Sequence, residues 1–404
     1  MAGLQPPAIV VPGITATSLE DTYPLSPEEI WTPILTRNYE RISMHPDDPR
    51  YDALEPARVL PRSIFGIVYN DLVEALRHDL SPRADRPTPV FAFPYDWRQD
   101  CRRSIERLGE FVQEVLQRTR LLPSYADEPP QQVDLVGHSM GGLLIAGYLT
   151  KPESRNRVRR VVTMGTPFRG AVDAVSKLST GMGTLTGDAP RDRERESART
   201  IPAIYQLLPS FAGIPNLFSR SEWQPSVART LKEYCRLRQA KIDGDALFGK
   251  LLKMASDFRK QTDSLDPAKA LPEGRDGWLA IVGLDAPTQV RFDNSGTWFD
   301  FPGPENAGPQ SEQTGDGTVP FLGACPSFLE RERLVCVTPD DFSFWELKDR
   351  TMAKLAGFHG ALPTVNLVQR LAIRFLNNSF SGDVEGRPAP GGSGTKWPAW
   401  LPKA

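Results

Sequence analysis

The stretch Val133-Asp134-Leu135-Val136-Gly137-His138-Ser139-Met140-Gly141-Gly142 constrains this chain more than any other. Gln132 to Val136 reads as a buried strand that runs into Gly137 with no intervening turn residues. Met140 to Thr150 then reads as a helix. A strand that becomes a helix around G-x-S-x-G is a nucleophile elbow. The serine sits at the apex of a very tight turn, and Gly137 and Gly141 lack the Cβ atoms that would keep neighbouring chain away. The helix directs its positive end at the place where negative charge would develop. The amide of Met140 is therefore a candidate oxyanion donor. The plain alternative is a glycine-rich turn of some other α/β fold. A phosphate loop is disfavoured, since no G-x-x-x-x-G-K followed by Ser or Thr occurs.

Around this motif strand and helix signals alternate, the pattern of a mostly parallel sheet flanked by helices. Strands are expected at Ala8–Val11, Pro89–Phe93, Arg160–Met164, Trp278–Gly283 and Arg333–Val337. Helices are expected at Val68–Leu80, Cys101–Arg120 and Leu362–Leu376, each with apolar residues at helical spacing. The rhythm breaks from residue 169 to 277. There Val227, Leu231, Tyr234 and Leu237, and then Leu247, Leu251, Ala255 and Phe258, keep helical spacing without strands. The charged run Asp188–Arg199 reads as a solvated loop or helix face. The expected organisation is a core in two parts, 1–168 and 278–380, with a helical cap inserted at 169–277. A Gly- and Pro-rich flexible tail follows at 381–404, holding Trp397 and Trp400.

A hydroxyl nucleophile needs a base. The chain has four histidines. His45 and His78 precede the serine, whereas in a fold with this elbow the order is serine, acid, histidine. His138 adjoins Ser139, so its side chain leaves in another direction and reads as a packed or hydrogen-bonded neighbour. His359, in Gly357-Phe358-His359-Gly360 just before the last helix, remains as the candidate base. The acid orients the imidazole and stabilises the imidazolium. Asp316, in Gly315-Asp316-Gly317, suits a tight loop, although an Asp-Gly pair is also an ordinary turn. Asp285, following the strand that ends at Gly283, competes with it on spacing.

A net charge of −2, with 24% charged residues, lacks the basic footprint of a nucleic-acid binder. No stretch is long and apolar enough to span a bilayer, and the N-terminus carries no signal-peptide pattern, so a cytoplasmic location is expected. Cys101, Cys235, Cys325 and Cys336 show neither C-x-x-C nor a zinc-like Cys/His cluster. They read as free thiols, with a Cys325–Cys336 bridge an option only after secretion. No metal or organic cofactor is implied.

Several segments resemble the lecithin:cholesterol acyltransferase family, with its related phospholipases and phospholipid:diacylglycerol acyltransferases. Val10-Val11-Pro12-Gly13 is similar to that family's first strand and oxyanion loop. Phe93-Pro94-Tyr95-Asp96-Trp97-Arg98 resembles its P-Y-D-W-R signature. Gly137–Gly142 resembles its elbow, and Met164–Gly170 the segment after its next strand. Tyr205-Gln206-Leu207-Leu208-Pro209 is similar to a cap motif, and Gly315–Pro320 to the acid loop. The match runs from about Ile9 to Leu376 and is weak in the cap. Relatives commonly carry a Leu-Gly-Asn run where this chain has Ile14-Thr15-Ala16-Thr17.

The resemblance implies an α/β-hydrolase fold with a lid, a triad of Ser139, Asp316 and His359, and an oxyanion hole from the amides of Ile14 and Met140. It favours Asp316 over Asp285. Asp96 and Arg98 read as a structural pair beside a packed Trp97. The implied chemistry is ester hydrolysis through an acyl-enzyme, on a lipid or other long-chain ester, with peripheral membrane contact as an option. Transfer of a fatty acyl group from a phospholipid to an alcohol uses the same intermediate. A peptidase, a lactonase, and a non-catalytic lipid- or protein-binding member of the fold are the rival readings.

Overall fold

A computed structural model describes residues 4–22, 26–32, 39–47, 59–181, 192–296, 298–303, 308–309, 311–341, 357–379 and 386–391. Ten strands are defined among them: β1 (Ala8–Val11), β2 (Thr17–Asp21), β3 (Glu28–Trp31), β4 (Val59–Ile64), β5 (Val90–Ala92), β6 (Val133–His138), β7 (Val158–Met164), β8 (Trp278–Gly283), β9 (Leu334–Val337) and β10 (Arg387–Pro388). Seven form one sheet in the order β10-β9-β8-β7-β6-β1-β5. Every pairing in it is parallel except β9 with β10. The fold is α/β, with a mostly parallel central sheet flanked by helices, as the alternating signals imply.

Both faces of this sheet are buried, which is why its strands read as unbroken apolar runs. Side chains alternate between two cores with a period of two. Ile9, Val11, Val133, Leu135, Trp278, Ala280 and Val282 face one core. Ala8, Val10, Val136, Leu279 and Ile281 face the other. The second core is closed by α2 (Gly66–Asp79), which follows the one-turn α1 (Tyr39–Ile42), through Val68, Tyr69, Leu72 and Leu76, and by the last helix, α12 (Asn366–Leu376), which comes after the one-turn α11 (Phe321–Ala324). The first is closed by α3 (Cys101–Arg120) and α4 (Met140–Leu149).

Helix α4 is buried along all ten of its residues, MGGLLIAGYL, so it has no polar face to give to water. Gly147 lets Ile105 of α3 approach closely, since a Cβ there would lie 2.2 Å from the Ile105 Cδ1. The helix is therefore wedged between the sheet and its neighbours, and its N-terminus is held where β6 ends.

Between β7 and β8 the described residues form helices and no strand. They are α5 (Val172–Thr180), α6 (Asp192–Ala198), α7 (Pro202–Gln206), α8 (Pro225–Leu237), α9 (Gly244–Asp263) and α10 (Pro267–Ala270). The charged run thus contains a helix, α6; residues 182–191 lie outside the described residues. The insertion is docked through polar contacts. Gln206 accepts from the Cys101 amide at 2.7 Å and donates to Asp100, the N-cap of α3. Gln261 of α9 donates to the Gly147 carbonyl.

Two features depart from the sequence reading. Strands β3, β2 and β4 form a small antiparallel sheet that the sequence signals do not announce. Within the stretch read as a flexible tail, Arg387–Pro388 extends the main sheet beside Val335 and Cys336. Apart from 386–391, the stretch 381–404, with Trp397 and Trp400, lies outside the described residues. All four cysteines are free thiols.

Leu143 is fully buried in α4, against the core that contains Ile105 and Trp278. Leu143→Ala is expected to cost about 2–5 kcal/mol, because the lost transfer energy is joined by a cavity that a packed helix cannot collapse. A urea titration followed by circular dichroism measures it.

Candidate functional site

At the junction of β6 and α4, Ser139 has φ +52° and ψ −129°, a left-handed backbone in a residue that carries a Cβ. Such a conformation costs about 1–3 kcal/mol and persists only where surrounding structure dictates it. The Ser139 amide donates to the Met164 carbonyl of β7 at 2.9 Å, and its carbonyl accepts from the Gly142 amide. A Cβ on Gly141 would stand 2.2 Å from the Val11 carbonyl oxygen, and one on Gly142 would stand 2.0 Å from Thr166 Oγ1. The elbow is thus clamped between the ends of β1 and β7.

The other two candidates converge on this serine. His359 Nε2 lies 2.9 Å from Ser139 Oγ, and His359 Nδ1 lies 2.6 Å from Asp316 Oδ2. An ionised carboxylate only accepts, so Nδ1 carries the proton and Nε2 offers a lone pair to the hydroxyl. Asp316 is 1% exposed, and its Oδ1 accepts from the amides of Thr318 (3.0 Å) and Val319 (2.7 Å). Both carboxylate oxygens are engaged, which fixes their orientation. Asp285 belongs to the support of the same loop, where its amide donates to Thr314 Oγ1.

Gly165 and Gly283 end the neighbouring strands beneath this pair. A Cβ at Gly165 (φ +57°) would meet Asp316 Oδ2 at 2.9 Å and His359 Nδ1 at 3.1 Å. One at Gly283 would meet the Asp316 Cβ at 2.4 Å. The sequence reading includes Gly165 in the Met164–Gly170 segment and ends a strand at Gly283, but gives neither glycine a part in the site.

The amides of Ile14 and Met140 donate to no acceptor among the described residues. The Met140 side chain is buried and sits 3.9 Å from the Cys101 sulfur. That anchors the residue under α3. Burial pushes the Cys101 thiol well above its usual range, with Asp100 adding to the effect, so it is a packing group there and not a nucleophile.

The loop after β1 is held by aromatic residues. Tyr95 donates to the Pro12 carbonyl at 2.9 Å. Trp31 donates from its indole to the carbonyl of Thr15, itself at φ +64°, and packs edge-on against Trp97 at 5.1 Å. Asp96 and Arg98 form a buried bidentate pair at 2.8–2.9 Å. Tyr95 and Trp97 belong to the quoted P-Y-D-W-R segment, but their contacts to this loop, and Trp31 itself, carried no sequence signal.

Of the remaining histidines, His78 is exposed beside Asp79, and His45 Nδ1 accepts from the Asp47 amide. His138 is buried, and burial, with His359 nearby, pushes its pKa well below the usual histidine range. It is neutral.

A family model described as lecithin:cholesterol acyltransferase matches residues 64–262. The chain is related to that family. The matched range includes the elbow and ends before Asp316 and His359. Phospholipase A(1) LCAT3 of Arabidopsis thaliana is 27% identical over 169 residues, which is 40% of this chain and 36% of that protein. The alignment thus spans little more than a third of the length of this lecithin:cholesterol acyltransferase relative. A chain in the crystal structure of the Tle4-Tli4 complex has a TM-score of 0.55 at 14% identity, covering 93% of this chain and 99% of that one. This likeness concerns the fold.

Replacing Gly141 by Ala sets a methyl group against the Val11 and Pro12 carbonyls, backbone atoms that cannot swing aside. The expected cost is about 1–3 kcal/mol, read as a lowered urea midpoint, because accommodation requires moving β1 or the elbow.

Proposed function

We propose that the protein is a serine hydrolase acting on carboxylic esters, of lipase or phospholipase type, with Ser139 as nucleophile, His359 as base and Asp316 as the orienting acid. The observation that carries this reading is the unbroken chain of contacts from Asp316 Oδ2 through the two nitrogens of His359 to Ser139 Oγ. His359 Nε2 takes the hydroxyl proton as Oγ attacks the ester carbonyl. The amides of Ile14 and Met140 receive the oxyanion, since each is a donor with no acceptor among the described residues. Collapse of the tetrahedral intermediate expels the alcohol, which takes the proton from His359, and leaves an acyl-Ser139 ester. Water repeats the steps in reverse order to release the acid. No described helix is long and apolar enough to cross a membrane, so a lipid substrate would be met from the aqueous side or at a bilayer surface.

The helical insertion supports a lipid-like acyl group as substrate. It leaves β7 at Met164, the strand whose carbonyl holds the Ser139 amide, and so begins at the sheet edge that carries the site. An insertion starting there is placed to act as a cap over the acyl chain. The kinship reported above supports the same class of ester.

Ser139→Ala should abolish turnover of p-nitrophenyl esters and labelling by a fluorophosphonate; labelling of the same site in that variant would sink the assignment. Asp316→Asn leaves the carboxylate's shape but reverses its hydrogen-bonding sense, so kcat should fall by about four orders of magnitude. Mass spectrometry of a phospholipid incubated with and without a sterol or diacylglycerol distinguishes hydrolysis, expected here as free fatty acid, from acyl transfer, which would give a new ester.

A further inference from the structure

The hydrogen bonds around His138 form a closed directional chain that the triad does not use. His138 Nε2 lies 2.9 Å from the His359 carbonyl oxygen, and a carbonyl only accepts, so Nε2 carries the ring's proton. The neutral ring therefore presents a bare Nδ1, which lies 2.7 Å from Tyr69 Oη. The Tyr69 hydroxyl donates to that nitrogen, and its oxygen accepts from the Gly13 amide at 3.0 Å. Each donor in the chain meets one acceptor, and Gly13, Tyr69 and His138 are buried.

The chain begins in the loop after β1 and ends on the backbone of the residue assigned as base. Gly13 is also pressed against the nucleophile: a Cβ there would stand 2.9 Å from the Ser139 Cβ and 3.6 Å from His138 Nδ1. Since the Gly13 amide is taken by Tyr69, that peptide plane cannot rotate without breaking a buried bond; the next plane, which carries the Ile14 amide, is held where the Gly13 carbonyl accepts from the Ala16 amide at 3.4 Å. At the other end, the bond to the His359 carbonyl fixes the backbone from which the imidazole hangs. The two rings lie 5.0 Å apart. A charged His138 would oppose an imidazolium at His359, and burial disfavours the charged ring.

We propose that Tyr69 and His138 are positioning residues that set one spacing between the oxyanion loop at Gly13–Ile14 and the His359 backbone across Ser139. This rests on the triad reading above. Tyr69→Phe removes only the hydroxyl and leaves the Gly13 amide and His138 Nδ1 without partners. His138→Gln keeps a donor for the His359 carbonyl but breaks the link to Tyr69. Each variant is expected to lower kcat for a p-nitrophenyl ester by about 10- to 100-fold, through misplacement of reacting groups, with KM within about threefold. The double variant should fall no further than the weaker single, because one chain is broken in each case.

Wild-type kcat in Tyr69→Phe, a loss confined to KM, or losses that multiply in the double variant would overturn the proposal. A measurement on the unaltered protein stands beside these. Nitrogen-15 NMR of histidine-labelled protein at neutral pH should show His138 neutral with its proton on Nε2, whereas a proton on Nδ1 would refute the chain even where a variant fails to fold. Failure of the triad itself would be seen separately, as ester turnover surviving in Ser139→Ala.

Discussion

The left-handed backbone of Ser139 is the constraint to which the surrounding structure answers. A residue with a Cβ does not rest there unaided. The compensation is local and specific. The Ser139 amide is bonded to β7, its carbonyl to the first turn of α4, and Gly141 and Gly142, just after it, admit the Val11 and Pro12 carbonyls and the side chain of Thr166. The uniformly apolar α4 completes the clamp. Its ten residues are buried against the sheet and α3, so the helix cannot tilt to relax the turn without opening the first core. Burial of each large aliphatic side chain is worth about 1.5–3 kcal/mol, so a few of them offset the strain at one residue.

A second consequence concerns the loop after β1. On the proposed reading this loop presents the Ile14 amide toward Ser139, and a small rotation of one peptide would turn that donor away. Three aromatic residues hold backbone groups of this loop: Tyr69 of α2 at the Gly13 amide, Tyr95, just after β5, at the Pro12 carbonyl, and Trp31 of β3 at the Thr15 carbonyl. The small sheet thereby acquires a purpose beyond covering an edge, since it delivers Trp31. The buried Asp96–Arg98 pair keeps the turn that carries Tyr95 and Trp97 rigid, in keeping with a structural part for those charges.

What could be read from the sequence follows from which forces act locally. Strands β1 and β8 and helix α3 have the bounds that periodicity implies, because each buries one repeating face or both faces against a continuous core. The elbow was legible because its steric demands fall on adjacent residues. The small sheet was not. Its strands carry Glu28, Glu29, Pro61 and Arg62, and only one edge of each meets the core, so neither alternation nor an apolar run marks them. Strand β10 is two residues long, within a Gly- and Pro-rich stretch, and exists only because β9 offers a free edge. Tyr69 shows the limit most clearly. On α2 it sits at the spacing of a core residue, and it is one; that its hydroxyl joins Gly13 to His138 depends on contacts 56 and 69 residues away along the chain.

The strand order explains why residues so distant in sequence can meet. Parallel neighbours lie about 4.8 Å apart, so the ends of β6, β7 and β8 form a platform of three steps. Ser139 rises from the first. The second ends at Gly165 and the third at Gly283, both without side chains, and the Asp316 carboxylate and His359 imidazole rest in the space those two glycines leave. Side chains at either position would push the acid off the strand ends and stretch a contact of 2.6 Å that aligns the ring. The acid loop can therefore come from a long excursion after β8, because its seat is set by the sheet and not by the excursion. The isolated bridges of Ala286 with Gly315 and of Gly315 with Pro320 close the excursion on itself at the seat. Thr288, whose hydroxyl accepts from the Gly317 amide at 2.8 Å, and Thr314, which takes the Asp285 amide, brace the seat from within the excursion, while the glycines beneath it leave the room that the carboxylate fills.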